Sequence, residues 1–339
     1  MSSTGRAEGA LRVGVVGAGS WGTTVASLTA VNAPTTLWAR RSETAAVINL
    51  THRNPEYLGD MPINESVIAS ASLVECVASA DVVVMAVPSH GFREVLSNAA
   101  AHMQPGVPVV SLSKGLEAGT FARMTEVVQS VLPNHPVAVL TGPNLAREIA
   151  SGQPAASVIA IADASMGATL QSLFATPMFR VYTNPDIVGC EIAGVVKNVI
   201  AIAAGIARGM GFGENTLATL ITRGLAEISR LAMAMGAKPL TLAGLAGMGD
   251  LIATCSSTQS RNMSVGMRLG KGETLEQITS SMSMVAEGVK SSPSVLELAS
   301  RHGVSMPITE QVVSVCRDGV SAFDALINLM TRSSKLEFE

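Results

Sequence analysis

The stretch that decides the fold of the first half of the chain is LRVGVVGAGSWGTTVASLTA, residues 11–30. A β-branched run is followed by the pattern G-x-G-x-x-G at Gly17, Gly19 and Gly22, and then by a segment suited to a helix. In a strand–turn–helix unit, glycines at this spacing permit a tight turn and bring a pyrophosphate close to the helix N-terminus. The stretch therefore predicts a dinucleotide-binding turn. The alternative is a glycine turn that only packs a helix against a strand.

Short apolar strands alternate with helical stretches through the rest of the first half. After about Cys190 the pattern changes to long Ala-, Leu-, Met- and Gly-rich segments at helical spacing, such as the amphipathic residues 220–237 with Gly236 as a cap. Alternating strands and helices predict a parallel sheet covered by helices on both faces. The expected fold class is α/β, with a Rossmann-like, doubly wound, mainly parallel sheet in an N-terminal domain and an all-α C-terminal domain. Beyond the opening stretch, the predicted strands are TTLWARR, DVVVMAVP, VPVVSLSKG, VAVLTGPN and AASVIAIA.

The change in pattern also gives the expected domain limits. Residues 1–10 lack the apolar h-region of a signal peptide and are expected to form a disordered tail. Residues 11–190 are expected to form the dinucleotide-binding domain and residues 191–330 the all-α substrate and catalytic domain. Residues 331–339 are expected to be a second tail.

Composition excludes several function classes. The 339 residues are 47% hydrophobic and 14% charged, with a net charge of −3 and no Lys/Arg-rich run, so a nucleic-acid partner is not expected. The apolar run at 192–207 is shorter than the roughly 20 residues of a membrane span and contains Lys197. Four cysteines far apart indicate neither a metal site nor a disulfide framework and favour the cytoplasm. The apolar helical half is compatible with a homodimer.

The residues after the second predicted strand bear on the choice of cofactor. An NAD-specific site usually carries an acidic residue there, on the ribose hydroxyls. This chain has Arg40 and Arg41 instead, and a guanidinium can hold a 2′-phosphate. The pair favours NADP(H), with NAD(H) as the alternative. The alternative for the two arginines is a solvated basic turn paired with Glu43.

Lys197 stands inside the apolar run 192–207. At about 100° per residue it points nearly opposite the broad apolar face of Val195, Val199 and Ile202, onto a strip of small residues such as Gly194 and Gly205. Periodicity leaves two environments open for this strip, solvent or the wall of a cleft. In a cleft the lysine could exchange a proton with a substrate hydroxyl or carbonyl.

Polar residues also follow two predicted strands, where doubly wound folds bind their ligands. Lys114 follows one strand, and Gly142 and Asn144 lie in the turn TGPN after another. In the helical half, Asp250 is an isolated acid that needs a partner if it is buried. Residues 260–262 (Ser-Arg-Asn) could open a helix and present hydroxyl, guanidinium and amide groups to a phosphate.

Taken together, these motifs resemble those of the bacterial type of NAD(P)-dependent glycerol-3-phosphate dehydrogenase. The resemblance extends from about Leu11 to about Gly319, in the family's order. It implies reversible reduction of dihydroxyacetone phosphate to sn-glycerol 3-phosphate, the precursor of the phospholipid backbone, in the cytoplasm. The motifs that carry it are VGAGSWGT, AVPSH, SKGLE, GPNLAREIA, GVVKNVIAIAAGI, TLITRGLAEISRL, GLAGMGDLIATC, QSRN and AEGVKS.

The resemblance also implies residue roles, with Lys197 as the proton donor and acceptor and no metal. Asn144 stands where relatives often carry Ser or Thr. The implied substrate-binding residues are Lys114, Gly142, Asn144, Lys197, Asp250, Ser260, Arg261 and Asn262. The implied cofactor-binding residues, with the three glycines of the turn (Gly17, Gly19 and Gly22), are Ser20, Trp21, Arg40, Arg41, Lys114, Ala146, Arg261, Val285 and Glu287.

The sequence pattern is also compatible with two rival functions. One is another two-domain reductase that acts on a hydroxy acid or keto acid such as ketopantoate. The other is a non-catalytic dinucleotide sensor, which would give no reason for Lys197, Asp250 and Arg261 to occur together.

Overall fold

The computed structural model of the protein describes residues 11–282, 286–333 and 336–337. The chain divides into two compact units. The first contains the chain up to Ser113, Thr125–Leu140 and Asn144–Thr183, and the second contains Lys114–Met124, Thr141–Pro143 and the chain from Asn184 onward. The predicted tail at 1–10 and four residues of the predicted tail at 331–339 lie outside the described residues.

The first unit is built on an eight-stranded sheet in the order β3-β2-β1-β4-β5-β6-β7-β8. Pairs β1–β2, β2–β3, β1–β4, β4–β5 and β5–β6 are parallel. All residues of β1 and β4 are buried, as expected for central strands covered on both faces. The strands are β1 Val13–Val16, β2 Thr35–Trp38, β3 Val67–Ser70, β4 Val82–Met85, β5 Val109–Ser111, β6 Val137–Thr141, β7 Ala155–Ala160 and β8 Phe179–Asn184.

The strand order reverses between β1 and β4. The chain runs outward from β1 to β3 and returns to β4 on the other side of β1. In open α/β sheets, ligands bind outside the carboxyl ends of the strands at such a switch point. The turn after β1 is the glycine turn, so the predicted fold class is confirmed and its ligand-binding edge is defined.

Helices flank the strands in the first unit and dominate the second. A π-helix at Leu245–Gly249 directly precedes α12. The helices are α1 Ser20–Thr29, α2 Ser42–Thr51, α3 Pro55–Leu58, α4 Leu73–Val77, α5 Ser89–Ala100, α6 Met124–Val131, α7 Ala146–Ala150, α8 Ala164–Phe174, α9 Ile187–Gly209, α10 Glu214–Ala234, α11 Pro239–Leu242, α12 Asp250–Ser256, α13 Arg261–Gly270, α14 Leu275–Ser280, α15 Glu287–Arg301, α16 Pro307–Arg317 and α17 Ala322–Met330.

Two strands, β3 and β8, were not among those predicted. Strands β3 and β8 lie at the two edges of the sheet and expose alternate side chains, so they lack the continuous apolar run of a central strand. The expected limit between residues 190 and 191 falls inside α9. The boundary between the two compact units lies at the end of β8, just before that helix begins.

The second unit is organised around α9. Every residue from Gly189 to Ala207 is buried, and α10, α12, α13 and α15 pack against the helix. Within the described residues, α9 has the length and hydropathy of a membrane-spanning helix, but 89% of an apolar 18-residue stretch of this helix is buried inside the protein. Its apolar character is therefore that of a core helix.

The small residues of α9 allow close packing against α13. A Cβ added to Gly205 would overlap the carbonyl oxygen of Met263, and one added to Gly266 of α13 would overlap that of Ile202. The strip opposite the apolar face of α9 is thus covered partly by a second helix. The two alternatives for this strip, solvent or cleft, were incomplete, because periodicity gives the direction of a side chain and not what covers it.

We expect Gly266→Ala to lower the free energy of unfolding by about 1–3 kcal/mol, because the two backbones must separate to admit the methyl group. Gly249→Ala is the matched control. Gly249 is also helical and in the same unit, but the space around its Cβ position allows ordinary contacts. Urea denaturation of the three proteins measures the difference. Equal midpoints for Gly266→Ala and the wild type would contradict the close packing.

Candidate active site

Two lysines share one buried carboxylate in the second unit. Lys114 Nζ lies 2.5 Å from Asp250 Oδ2, and Lys197 Nζ lies 2.9 Å from Asp250 Oδ1. Asp250 is 2% exposed and Lys197 is 5% exposed. A buried carboxylate is costly unless it is paired and hydrogen-bonded. Asp250 therefore has the partners that its isolation in the sequence required.

Helix α12 positions the acid and one further partner. Asp250 is its first residue and follows the π-helix, an irregularity that is frequent at functional sites. Thr254, four residues on, lies on the same face. Lys197 Nζ donates to Thr254 Oγ1 (2.5 Å), which in turn donates to the Asp250 carbonyl oxygen (2.7 Å). Lys197 is thus held by both a carboxylate and a hydroxyl.

Lys114 reaches the cluster on a segment anchored to α9. Lys114–Met124 is folded back on itself by a bridge between Leu116 and Arg123. Arg123 forms an ion pair of 2.6 Å with Glu191, and the two side chains are 12% and 4% exposed. Lys114 also donates to the carbonyl oxygen of Gly142 at 3.1 Å. The aliphatic stem of Lys114 fits beside α9 because residue 194 there is glycine.

The environment makes Lys114 an unusually weak base. Burial lowers its pKa from 10.5 to about 8. Attraction to Asp250 opposes the shift, whereas repulsion from Lys197 adds to it. Glu287, the first residue of α15, also raises the pKa of Lys114 electrostatically. Although Asp250 lies between them, each of the two ammonium groups can stabilise negative charge that develops on a bound ligand.

The predicted phosphate-binding triplet opens α13. Ser260 is the N-cap, and its hydroxyl accepts from the Met263 amide at 3.3 Å. Asn262 bridges two other helices, because its amide donates to Asn198 and its carbonyl accepts from the Gly288 amide. Arg261 is exposed and has no ion pair within the described residues. A guanidinium beside a helix N-terminus is suited to a phosphate.

The glycine turn in the first unit fits a dinucleotide. A Cβ on Gly17 or Gly22 would overlap backbone oxygens, those of Ala86 and Gly17 respectively, so both are needed for the turn itself. A Cβ on Gly19 would meet nothing within 4 Å. Gly19 is the N-cap of α1, and no side chain caps that helix. The amide groups at the start of α1 can therefore receive a pyrophosphate.

Both halves of the chain match models of one family. Residues 12–167 match the NAD-dependent glycerol-3-phosphate dehydrogenase N-terminus, and residues 186–327 match the C-terminus. The chain is 55% identical over 323 residues to glycerol-3-phosphate dehydrogenase [NAD(P)+] 2 of Sphingopyxis alaskensis, covering 95% of this chain and 97% of that protein. The chain belongs to the NAD-dependent glycerol-3-phosphate dehydrogenase family.

Another relative and a solved structure agree with this assignment. A glycerol-3-phosphate dehydrogenase [NAD(P)+] of Corynebacterium jeikeium is 53% identical over 331 residues, which cover 96% of this chain and 100% of that one. The crystal structure of glycerol-3-phosphate dehydrogenase from Coxiella burnetii aligns with a TM-score of 0.91 at 34% identity, covering 95% of this chain and 99% of that one. Membership of the family, which the motifs predicted, is confirmed over nearly the whole chain.

The structure brings together only some of the residues that the family resemblance implied for substrate. Lys114, Gly142, Lys197 and Asp250 meet directly in the second unit. Asn144 belongs to the first unit, where its amide donates to Ser157 at 3.1 Å. Thr254 was not among the implied residues. The spacing of Asp250 and Thr254, four apart in one helix, was the signal for it.

Some of the residues implied for the cofactor lie at the glycine turn or follow β2, whereas Lys114, Arg261 and Glu287 belong to the second unit. Ser20 Oγ donates to the Tyr57 carbonyl oxygen at 3.1 Å, and Trp21 packs edge-on against Phe179. Ala146 begins α7, and its carbonyl oxygen accepts from Thr24. Val285 lies outside the described residues.

The arginine pair stands between β2 and α2, as expected. Arg40 is exposed, and Arg41 is the N-cap of α2 and pairs with Glu56. The predicted alternative had Glu43 as the partner of Arg41. That alternative is wrong, because the carboxylate comes from α3.

A separate cavity of ≈ 570 Å³ lies in the second unit. Its lining is mainly aliphatic and comes from α9, α10, α16, α17 and the chain after α17. None of Lys114, Lys197, Asp250 and Thr254 lines it. The cavity is therefore distinct from the lysine cluster, in which titratable groups lie within reach of one another, as acid–base chemistry requires.

The lowered pKa of Lys114 predicts a stability effect at alkaline pH. Between about pH 8 and the unfolded-chain pKa of about 10.4, the unfolded state binds more protons at Lys114 than the folded state. We therefore expect the free energy of unfolding to rise with pH in this window, relative to a Lys114→Met variant, by about 1–3 kcal/mol. Urea denaturation of both proteins at several pH values measures it. Parallel pH profiles would contradict the shift.

Proposed function

We propose that the protein catalyses the reversible reduction of dihydroxyacetone phosphate to sn-glycerol 3-phosphate with NAD(H) or NADP(H). The observation that carries this proposal is the cluster in which Lys114 and Lys197 share Asp250, in a chain of this family. Its relatives bear the name glycerol-3-phosphate dehydrogenase [NAD(P)+]. A pair of cations, of which Lys197 is buried and Lys114 is partly buried, suits a substrate that carries a phosphate and develops an alkoxide.

Arg261 and the start of α13 would hold the substrate phosphate. The guanidinium is exposed, and the helix N-terminus adds a partial positive charge. Ser260 and Asn262 shape this end through their own hydrogen bonds. Remote binding of the phosphate then orients the ketone toward the lysines.

Lys197 would be the proton donor for reduction. A bound nicotinamide cofactor would supply the hydride to the carbonyl carbon. Lys197 Nζ holds the proton that the developing alkoxide oxygen needs, and Asp250 and Thr254 fix the direction of the ammonium group. In the oxidation direction the uncharged amine takes the hydroxyl proton back. Lys114 stabilises the negative charge from the other side of Asp250.

The glycine turn would hold the dinucleotide pyrophosphate on the amide groups of α1, with Ser20 and Trp21 beside it. Arg40 and Arg41 lie where the adenosine ribose of a dinucleotide is bound in this fold class. They favour NADP(H) and leave NAD(H) as a second cofactor. Asn144, Ala146, Val285 and Glu287 complete the proposed contacts.

We also propose that the enzyme acts in the cytoplasm as a homodimer and supplies glycerophospholipid synthesis. The four cysteines are unpaired thiols and buried, in keeping with a reducing compartment. The proposed domain limits, residues 11–190 and 191–330, rest on the change from alternating strands and helices to helices alone.

The activity is tested directly by initial rates with NADH and NADPH. We expect dihydroxyacetone phosphate to be reduced with both cofactors. Ketopantoate and 3-oxo acids should be reduced far more slowly, because they offer no phosphate to Arg261. Dihydroxyacetone without the phosphate serves as the control for that contact. Preferred reduction of ketopantoate would refute the proposal.

The role of Lys197 is tested by Lys197→Met, which keeps the volume of the side chain and leaves Asp250 paired with Lys114. We expect kcat to fall by about 10²–10⁴-fold, the usual contribution of a positioned acid–base group, with the Kd for NADPH unchanged. Lys238→Met, at an exposed lysine of the same unit, is the matched control. Near-normal turnover of Lys197→Met would end this assignment.

A further inference from the structure

A short segment of the first unit is tied to the glycine turn. Asn54 Nδ2 donates to the carbonyl oxygen of Ala18 at 2.9 Å and to Thr23 Oγ1 at 2.8 Å, and Asn54 is 1% exposed. Three residues on, the Tyr57 carbonyl oxygen accepts from Ser20 Oγ. Residues 54–57 (Asn-Pro-Glu-Tyr), which we call the NPEY segment, are therefore fixed to the start of α1.

The NPEY segment places an acid against one of the two arginines. Glu56 forms an ion pair with Arg41, and the two side chains are 49% and 52% exposed. Arg40, the neighbouring residue, is exposed and forms no ion pair in the described part of the chain. Of the two guanidinium groups that follow β2, one already has a carboxylate partner and the other is available to a ligand.

We propose that Glu56 is a specificity-determining residue for the dinucleotide. It engages Arg41, so that a 2′-phosphate must compete with a carboxylate for this guanidinium and also approach a negative charge. Arg40 is left as the unopposed cation. The inference rests on the proposed function only for the class of cofactor. It accounts for a site that carries two arginines and still admits a cofactor without the 2′-phosphate.

The size of the effect follows from the exposure of the pair. An exposed ion pair contributes at most about 1 kcal/mol, which corresponds to about a fivefold change in affinity. The NPEY segment holds Glu56 in place before any ligand arrives, so little ordering of its backbone opposes the contact. Glu56 therefore tunes the choice of cofactor and does not impose it.

The test compares ligands that differ only in the 2′-phosphate. In Glu56→Gln, we expect the Kd of 2′,5′-ADP by calorimetry and of NADPH by fluorescence titration to fall about two- to fivefold. The Kd values of 5′-ADP and NADH should not change. Glu43→Gln is the matched control, since Glu43 is an exposed glutamate two residues from Arg41 that belongs to α2. All of these measurements are made without substrate.

A second background separates a direct effect from a disturbed turn. In Arg41→Ala, the gain in binding of 2′,5′-ADP from Glu56→Gln should be smaller than in the wild-type background, because the competition for Arg41 is gone and only the repulsion between the carboxylate and the 2′-phosphate remains. Equal changes for 5′-ADP and 2′,5′-ADP, no change for either, or the same gain in Glu43→Gln would each overturn the proposal. Because these ligands lack the substrate, failure to reduce dihydroxyacetone phosphate would refute the proposed function and leave this result standing.

Discussion

The structure of the second unit depends on the burial of charges along α9. Glu191 and Lys197 both lie inside a helix that is enclosed on every side, where an unpaired charge would cost several kcal/mol. Each therefore needs an opposite charge from another part of the chain. Arg123 comes from the segment that also carries Lys114, and Asp250 comes from the start of α12. The ion pairs that neutralise the buried charges of α9 therefore also bring the residues of the site together.

The sheet could be predicted from the sequence because its central strands are buried on both faces and its first turn needs glycine. The edge strands β3 and β8 were not predicted, because alternate residues of each face solvent and their composition resembles that of loops. The change to helical spacing near Cys190 was visible. The inclusion of Lys114–Met124 and Thr141–Pro143 in the second unit was not visible, because it depends on contacts between distant parts of the chain.

The sequence predicted which residues belong to the site, but it did not predict which of them pair with one another. Lys197 and Asp250 attract notice as charges within apolar segments, and the family resemblance gave them roles. Nothing in the spacing says that Asp250 is shared with Lys114, that Arg123 neutralises Glu191, or that Glu56 rather than Glu43 pairs with Arg41. These pairings join residues from 15 to 136 positions apart. They depend on tertiary packing, which the periodicity of the sequence does not reveal.

The division of the chain also bears on how the protein can be dissected. The second unit is not a continuous stretch, because Lys114–Met124 and Thr141–Pro143 belong to it although they lie within the N-terminal half of the sequence. A fragment that starts at Asn184 would lack Arg123 and Lys114 and would bury Glu191 without its counter-charge. On the ribosome, those early segments must wait for α9 to emerge before they find their partners. The helical unit therefore depends on segments from the N-terminal half of the chain and is not expected to fold as a fragment on its own.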